Sequence, residues 1–424
     1  MIRLSQCMIV KNEEKNIETA LRWAKDITFE QIVVDTGSTD NTVELAKQLG
    51  AKVYHFEWIN DFAAAKNYAI EKATGDWIAF LDADEFFSPE DTAALSTLLT
   101  KIESDLKTRE NILGIVMPWV NVDDSGKPMT IASQARIFRN KPTIRYIGRI
   151  HESLSIDAGG FINADNISII HTGYSQSAHM ETGKSERNAE LLREELKSKP
   201  NDISLKAYLA NALSIRSDEV YQAEAEILFS DVIKSKESID VIHKIKAYMF
   251  LINKYKEQPG RLPDCEDMCR QALALYPGTS DFEYLLAVVL SKKGEHQKAW
   301  ELLKGCEARL TQKNKNDYSI MINADPTILY GQMILTAKDL NELENVVLYS
   351  TQILIMDKTR KSVLGPCITM LLKLGITENE VLALLSSIYD MENQNDLKFI
   401  AQTSTEYGAK SFADSILQLA EGVS

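Results

Sequence analysis

Gly75-Asp76-Trp77-Ile78-Ala79-Phe80-Leu81-Asp82-Ala83-Asp84 is the stretch that decides the fold. A turn pair opens it, five apolar residues follow, and two carboxylates close it. An unbroken apolar run of strand length, bounded by turn residues, predicts a parallel strand buried on both faces. The acids then stand at its carboxyl end, where open α/β sheets bind their ligands. Side chains two apart on an extended backbone point the same way. Asp82 and Asp84 can therefore both face one hard divalent cation, directly or through water, with phosphate oxygens completing its shell. In an acidic chain an isolated pair of this kind is usually a solvated strand end, so the neighbouring segments decide the matter.

Three more apolar runs end in the same manner. Ser5 to Val10 runs into Lys11-Asn12-Glu13-Glu14, Gln31 to Val34 ends at Asp35, and Val53 to Trp58 leads to Asn60-Asp61. Helix-like segments near 15 to 25, 40 to 49 and 62 to 73 separate them. This alternation predicts right-handed crossovers and a parallel sheet, with the polar strand ends forming a nucleotide-sized crevice along one edge. Ile112 to Val122, the turn Asp124-Ser125-Gly126-Lys127-Pro128 and Ala132 to Phe138 read as a hairpin. Strands near Ile144 to Ile147 and Ile167 to His171 follow. They predict a mixed-sheet extension, where an acceptor pocket would be built.

The chain has 424 residues, enough for two or three domains. Its 47 basic against 61 acidic side chains give a net charge of -14, which argues against wrapping a nucleic-acid backbone and suits a metal-using enzyme. Five scattered cysteines are too few for a disulfide framework, and the odd count fits a reducing compartment. Cys265 and Cys269 are four apart and share a helix face. They read as core packing, because His243 is the closest preceding histidine and no second ligand pair follows. A strand begins directly after Met1-Ile2-Arg3-Leu4, leaving no room for a signal peptide, and no apolar run reaches the ~18 residues of a transmembrane segment. A cytoplasmic protein is the expectation; oligomeric state, a homodimer included, is left open.

After about residue 180 helical periodicity continues to the end. Aligning Ala299 with the small residue in the second helix of the tetratricopeptide pattern puts Ala287, Leu290, Gly294, Leu303 and Cys306 on small, apolar or turn positions. Stepping back 34 residues puts Cys265, Cys269 and Ala272 on the equivalents of Ala299, Leu303 and Cys306. Repeats past about 312 read as degenerate. The expected organisation is an α/β catalytic domain over 1–180, a linking helix over 181–203 and an all-α helical-repeat domain over 204–424. The concave face of such solenoids commonly binds peptides.

In Asp35-Thr36-Gly37-Ser38-Thr39-Asp40 the plain expectation is a strand-to-helix turn, with Ser38 or Asp40 capping a helix that starts near Asn41. Asp35 would in addition reach the ribose hydroxyls or base edge of a nucleotide, as acids at second-strand ends do in dinucleotide-binding folds. Lys66 and Asn67 fall in an alanine-rich helix start, Asp61-Phe62-Ala63-Ala64-Ala65-Lys66-Asn67. The small residues there would let a ligand approach, and Lys66 could neutralise a phosphate.

The set Met8-Ile9-Val10-Lys11-Asn12-Glu13-Glu14, Val34 to Asp40, Asp61 to Asn67 and Phe80-Leu81-Asp82-Ala83-Asp84-Glu85 resembles family-2 nucleotide-sugar glycosyltransferases of the GT-A type, over roughly residues 1 to 190. Arg145-Tyr146-Ile147-Gly148-Arg149-Ile150-His151-Glu152, Ile170-His171-Thr172-Gly173-Tyr174 and Lys184-Ser185-Glu186-Arg187-Asn188 extend the match. With its helical tail the chain resembles the sublancin-type peptide S-glycosyltransferase branch. One departure is Lys66, where many relatives carry arginine.

The resemblance implies a Rossmann-like mixed-sheet GT-A domain using a UDP-sugar donor and a divalent cation, Mn or Mg. Val10, Asn12, Glu14 and Asp35 would line the nucleotide site, and Asp82 and Asp84 would meet the ribose, donor sugar and metal. His171 would complete the metal shell, and Lys184 and Arg187, three apart on a helix, would clamp the diphosphate. Glu152 is the implied general base, with His151 as the alternative, its reference pKa near ~6.5 suiting proton transfer. The expected reaction is inverting transfer of a hexose to a peptide or protein side chain. Two other outcomes stay open: a lipid-linked or surface-polysaccharide acceptor, and a scaffold whose transferase half has decayed.

Overall fold

The computed structural model describes residues 2–105, 110–156, 160–172, 184–310 and 318–422. The chain divides into two compact units, Met1–Leu205 and Lys206–Ser424.

The first unit is built on a mixed sheet. β1 (Leu4–Val10) pairs in parallel with β2 (Glu30–Asp35) on one side and β4 (Trp77–Phe80) on the other, and β3 (Lys52–His55) lies parallel beyond β2. β1 and β4 are apolar because layers cover both faces: Cys7, Met8, Trp77, Ile78, Ala79 and Phe80 are wholly buried. The sheet then turns antiparallel. β7 (Pro128–Arg139) runs against β4 and against β6 (Gly114–Val122) as the hairpin read from the sequence. β11 (Ile169–His171) lies parallel to β6 and carries β5 (Glu85–Phe87) on its other edge. β8 (Tyr146–Ile147) and β9 (Ser153–Leu154) form a small separate hairpin, and β10 (Phe161–Asn163) pairs with β6.

Helices α1 (Ile17–Arg22), α2 (Thr42–Gln48) and α3 (Phe62–Lys72) link the parallel strands. Asp61 starts α3 by accepting the Ala64 N–H at 2.8 Å, and the buried faces of Ala63, Ala65 and Ala69 let the helix lie close on the sheet. α4 (Pro89–Ser104) was not read from the sequence. Ser88 caps it through the Asp91 N–H, with proline in the first turn, and Leu95, Leu99 and Ile102 pack on Trp77 and Ile115 in one core cluster. α5 (Lys184–Ser198) closes the unit.

From Ile203–Ser214 to Lys410–Gly422 the described chain is helical, successive helices packing on one another. The cysteines lie where the repeat alignment puts small residues: Cys265, Cys269 and Ala272 on Leu262–Leu275, and Ala299, Leu303 and Cys306 on His296–Leu310, are wholly buried. Gly294 takes φ +82° between helices, and Glu295 N–H returns to the Leu290 carbonyl at 2.9 Å. The same turn recurs beyond residue 312, where the sequence reads as degenerate. Asn341, Gly375 and Gly408 take φ +57°, +83° and +85°, and the next residue donates back to Ala337, Leu371 and Ser404 respectively. No described helix is long and apolar enough to cross a membrane.

Candidate active site

Strand order β3-β2-β1-β4 puts a topological switch between β1 and β4, since the chain leaves β1 in one direction and returns on its other side. The predicted site residues emerge there. Val10 lies opposite Asp35 in the parallel register, and the Val10 carbonyl accepts the Thr36 N–H at 2.9 Å.

The two loops after β1 and β2 brace each other. Asn12, in the left-handed region at φ +57°, donates its N–H to Ser38 Oγ at 2.9 Å and accepts the Thr39 N–H at 2.7 Å through Oδ1. Glu14 accepts the Asn41 N–H at 3.1 Å, and its own N–H donates to Asp40 at 3.2 Å. Both side chains thus hold the two loops against each other. Ser38 serves Asn12 rather than a helix end, and Asp40 accepts the Thr42 N–H at 3.0 Å at the start of α2. Asp35 is buried, yet it accepts the N–H groups of Gly37 and Ser38 and lies 3.3 Å from His55 Nδ1. Burial opposes its ionisation, and these hydrogen bonds overcome that and hold the carboxyl below its usual range.

The two aspartates after β4 have different surroundings. Asp82 Oδ1 is 3.2 Å from Lys66 Nζ and Oδ2 is 3.0 Å from Arg136 Nη2. Burial disfavours its charge, but the two cations outweigh burial and hold the carboxyl far below the usual range. Arg136 also meets Glu85, which is 1% exposed and accepts the Trp119 Nε1–H at 2.7 Å. Glu85 Oε2 accepts the Asp82 N–H at 3.0 Å, so this carboxylate shapes the turn from beneath. Burial pushes the Glu85 carboxyl up, against the pull of Arg136.

Lys66 continues the network. Its ammonium is 2.7 Å from Glu152 Oε1 and lies 5.2 Å and 5.1 Å from the ring centres of Phe80 and Tyr146. Burial works against its charge, but Asp82 and Glu152 carry the pKa above the usual lysine value. Glu152 belongs to the loop of the β8–β9 hairpin, 70 residues beyond Asp82, and Lys66 brings the two acids together.

Asp84 turns the other way. Its Oδ2 is 3.4 Å from His171 Nε2, and its carbonyl accepts the Thr172 N–H at 3.0 Å. His171 is stacked on Trp119, with centroids 4.3 Å apart, and its Nδ1 is 2.6 Å from Asn121 Oδ1. Asn121 donates through Nδ2 to Thr130, so its oxygen faces the ring. That oxygen accepts a hydrogen bond from Nδ1–H, and the ring's other nitrogen, Nε2, faces Asp84. An oxygen and a nitrogen ligand so anchored fit a hard divalent ion that draws its remaining ligands from phosphate and water. Among the described residues no cluster of three or more His, Cys, Asp or Glu side chains forms a metal cage.

The remaining candidates lie as follows. His151 takes φ +51° and is exposed beside Glu152. Arg187 is exposed, and its guanidinium sits 5.6 Å from the centre of the Phe62 ring at the start of α3, where partial desolvation lowers its pKa. The Lys184 side chain, and residues 173–183 with Gly173 and Tyr174, fall outside the described residues. Next to the hairpin that ends in His151 and Glu152 is a cleft of about 430 Å³, lined by Asp61, Asn67, Tyr146, Gly148, Arg149 and Glu195 among others. Arg136, Trp119 and Asn121 escaped the sequence reading, and Glu85 entered it only as part of the Phe80–Glu85 motif, without a role. A charged residue between Ala135 and Ile137 within an otherwise apolar strand end was the one signal that could have pointed to Arg136.

Residues 5–112 match the family described as Glycosyl transferase family 2. The chain is 29% identical over 320 residues to a TPR repeat-containing protein of Synechococcus elongatus, covering 65% of this chain and 76% of that protein. It is 30% identical over 202 residues to the SPbeta prophage-derived glycosyltransferase SunS of Bacillus subtilis, 46% of this chain and 45% of SunS. The chain therefore spans less than half of the SunS length. A crystal structure of S. aureus TarS 1-349 in complex with UDP-GlcNAc aligns with 69% of this chain and 92% of that one, at 14% identity and a TM-score of 0.36. Residues 5–112 thus belong to a glycosyl transferase family 2 domain built on the mixed sheet, and a tetratricopeptide-like helical-repeat domain follows it.

Proposed function

We propose that this enzyme is an inverting, metal-dependent transferase that moves a hexose from a UDP-sugar to a peptide or protein side chain. The observation that carries this is the Asp84–His171 pair, 3.4 Å apart, anchored by Asn121 and Trp119 and standing beside the switch point of the sheet. Asp84 and His171 would hold a divalent cation, Mn or Mg, which supplies positive charge against the departing diphosphate. Asp35, together with Val10 at the end of β1 and the braced loop carrying Asn12 and Glu14, lines the nucleoside side, and Asp82 faces the ribose and donor sugar. Arg187 and Lys184 belong to the diphosphate side. Glu152 accepts the acceptor's proton, and His151 beside it is the alternative base.

The reaction is a single displacement. A lone pair of the acceptor oxygen or sulfur forms a bond to the anomeric carbon as the bond from that carbon to the diphosphate oxygen breaks. The electron pair leaves with UDP, and the acceptor proton passes to Glu152. The cleft of about 430 Å³ along the Glu152 hairpin supports an acceptor on that side, and the helical repeats support a peptide or protein acceptor.

The test is incubation with radiolabelled UDP-glucose and related UDP-hexoses, with Mn or Mg and with chelator. Metal-dependent hydrolysis or transfer is expected with at least one donor, falling at least ~100-fold in Asp84→Ala, the scale of losing one charge-stabilising group. Turnover that is indifferent to chelator and to Asp84→Ala, or no turnover with any donor, contradicts the proposal.

A further inference from the structure

We infer that Lys66 is a positioning residue: it ties the base-bearing hairpin to the donor aspartate, and it does not clamp the diphosphate. The inference rests on the transferase reading with Glu152 as base, and it assigns Lys66 a task different from the one its sequence context suggests.

A lysine that neutralises phosphate must present its ammonium to the ligand. Lys66 does not. Its side chain is 3% exposed, and the ammonium is enclosed by two carboxylates and two rings: Glu152 at 2.7 Å, Asp82 at 3.2 Å, and the Phe80 and Tyr146 faces at 5.2 Å and 5.1 Å. The two carboxylates come from chain segments with no covalent reason to meet. Asp82 follows a central strand, whereas Glu152 sits in a five-residue loop whose hairpin has only two-residue strands, Tyr146–Ile147 and Ser153–Leu154. So short a hairpin does not fix the position of its loop by itself. The loop is instead held at three points on α3. Asn67 exchanges hydrogen bonds with the Tyr146 backbone at 2.9 Å each, Phe62 N–H donates to the Arg149 carbonyl at 2.8 Å, and Lys66 grips Glu152.

Without the ammonium, two carboxylates would face each other with nothing between them, and the loop end would withdraw. The base would then lie out of reach of an acceptor placed over the donor sugar, and proton transfer is sensitive to such displacement. Donor binding through the nucleotide loops would be left largely intact. Arginine at this position could bridge both carboxylates with its wide fork.

The experiment compares Lys66→Met, Lys66→Arg, Glu152→Gln and the Lys66→Met/Glu152→Gln double variant in the full chain. It measures kcat and donor KM for transfer, and UDP affinity by calorimetry, which also reports whether each variant is folded. The expected result is a loss of ~100-fold or more in kcat for Lys66→Met, the scale of a misplaced base, with donor KM and UDP affinity within ~3-fold of the parent. Lys66→Arg should recover most of the loss. The double variant should be no slower than Glu152→Gln alone, because a tie has no further effect once the base is gone. A raised donor KM and weakened UDP binding in Lys66→Met at unchanged kcat, or losses that multiply in the double variant, would overturn the inference. An inactive parent enzyme would instead strike at the transferase reading itself.

Discussion

At the residue scale, the two aspartates of one short motif have separate partners. Asp82 is enclosed by Lys66 and Arg136, and Asp84 faces His171. The sequence announced both acids, since strand end and spacing are local properties. Their partners were hidden, because Arg136, Asn121 and His171 reach the site only through sheet pairing across dozens of residues, and His171 itself was reached through family resemblance. Glu30 makes the same point at the opposite end of the sheet. It is buried and accepts from Ser5 Oγ at 2.8 Å, Thr74 N–H at 2.6 Å and Lys52 Nζ at 2.7 Å. Burial would raise its carboxyl, but these bonds prevail and hold it at about 2, against an ordinary 4.5. A depressed carboxyl stabilises the fold above its ordinary pKa and loses that contribution as pH falls from about 4.5 toward 2. Linkage puts the contribution on the order of 3 kcal/mol at neutral pH. Glu30→Gln should therefore lower stability to urea at pH 7 by that order and flatten the decline between pH 5 and 3. An unchanged pH dependence in the variant would show that Glu30 is not the group responsible.

At the scale of elements, α3 joins fold and chemistry. Its alanines, read from the sequence as room for a ligand to approach, also put the helix on the sheet, while Asp61, Lys66 and Asn67 each make a hydrogen bond or ion pair. Apart from α4, the long periodic elements were legible because pattern accumulates over many residues. β5, β8, β9 and β10 were missed or blurred because two or three residues carry no period; β10 forms on the edge of β6 and β5 on that of β11, while β8 and β9 pair with each other. Asn67 pairs with both the N–H and the carbonyl of Tyr146. Asn67→Ala leaves two backbone groups without partners and should cost about 2–3 kcal/mol. It should also lower kcat more than it raises donor KM, since the hairpin it releases carries Glu152. Denaturant unfolding and steady-state kinetics check both parts, and a stable variant with only a KM effect would refute the coupling.

At the scale of the whole molecule, a nucleotide-type sheet and a helical repeat share one chain, each with its own core. The repeat was legible where small residues mark helix contacts and unreadable where only turn geometry persists. Asn341, Gly375 and Gly408 keep the left-handed turn at intervals of 34 and 33 residues, where no repeat pattern is readable in the helix faces. Backbone conformation sustains the repeat there, and asparagine meets it as glycine does. On the proposed reading, catalysis depends on one small part, the Asp84–His171 pair beside β4. The most direct measurement is UDP binding to the full-length protein by titration calorimetry, with and without Mn, for the parent, Asp84→Ala and His171→Ala. Binding in the parent should strengthen at least ~10-fold when Mn is present, and either variant should abolish that gain while keeping the metal-free affinity. Equal UDP affinity with and without Mn in the parent, or an undiminished Mn effect in both variants, would contradict the account.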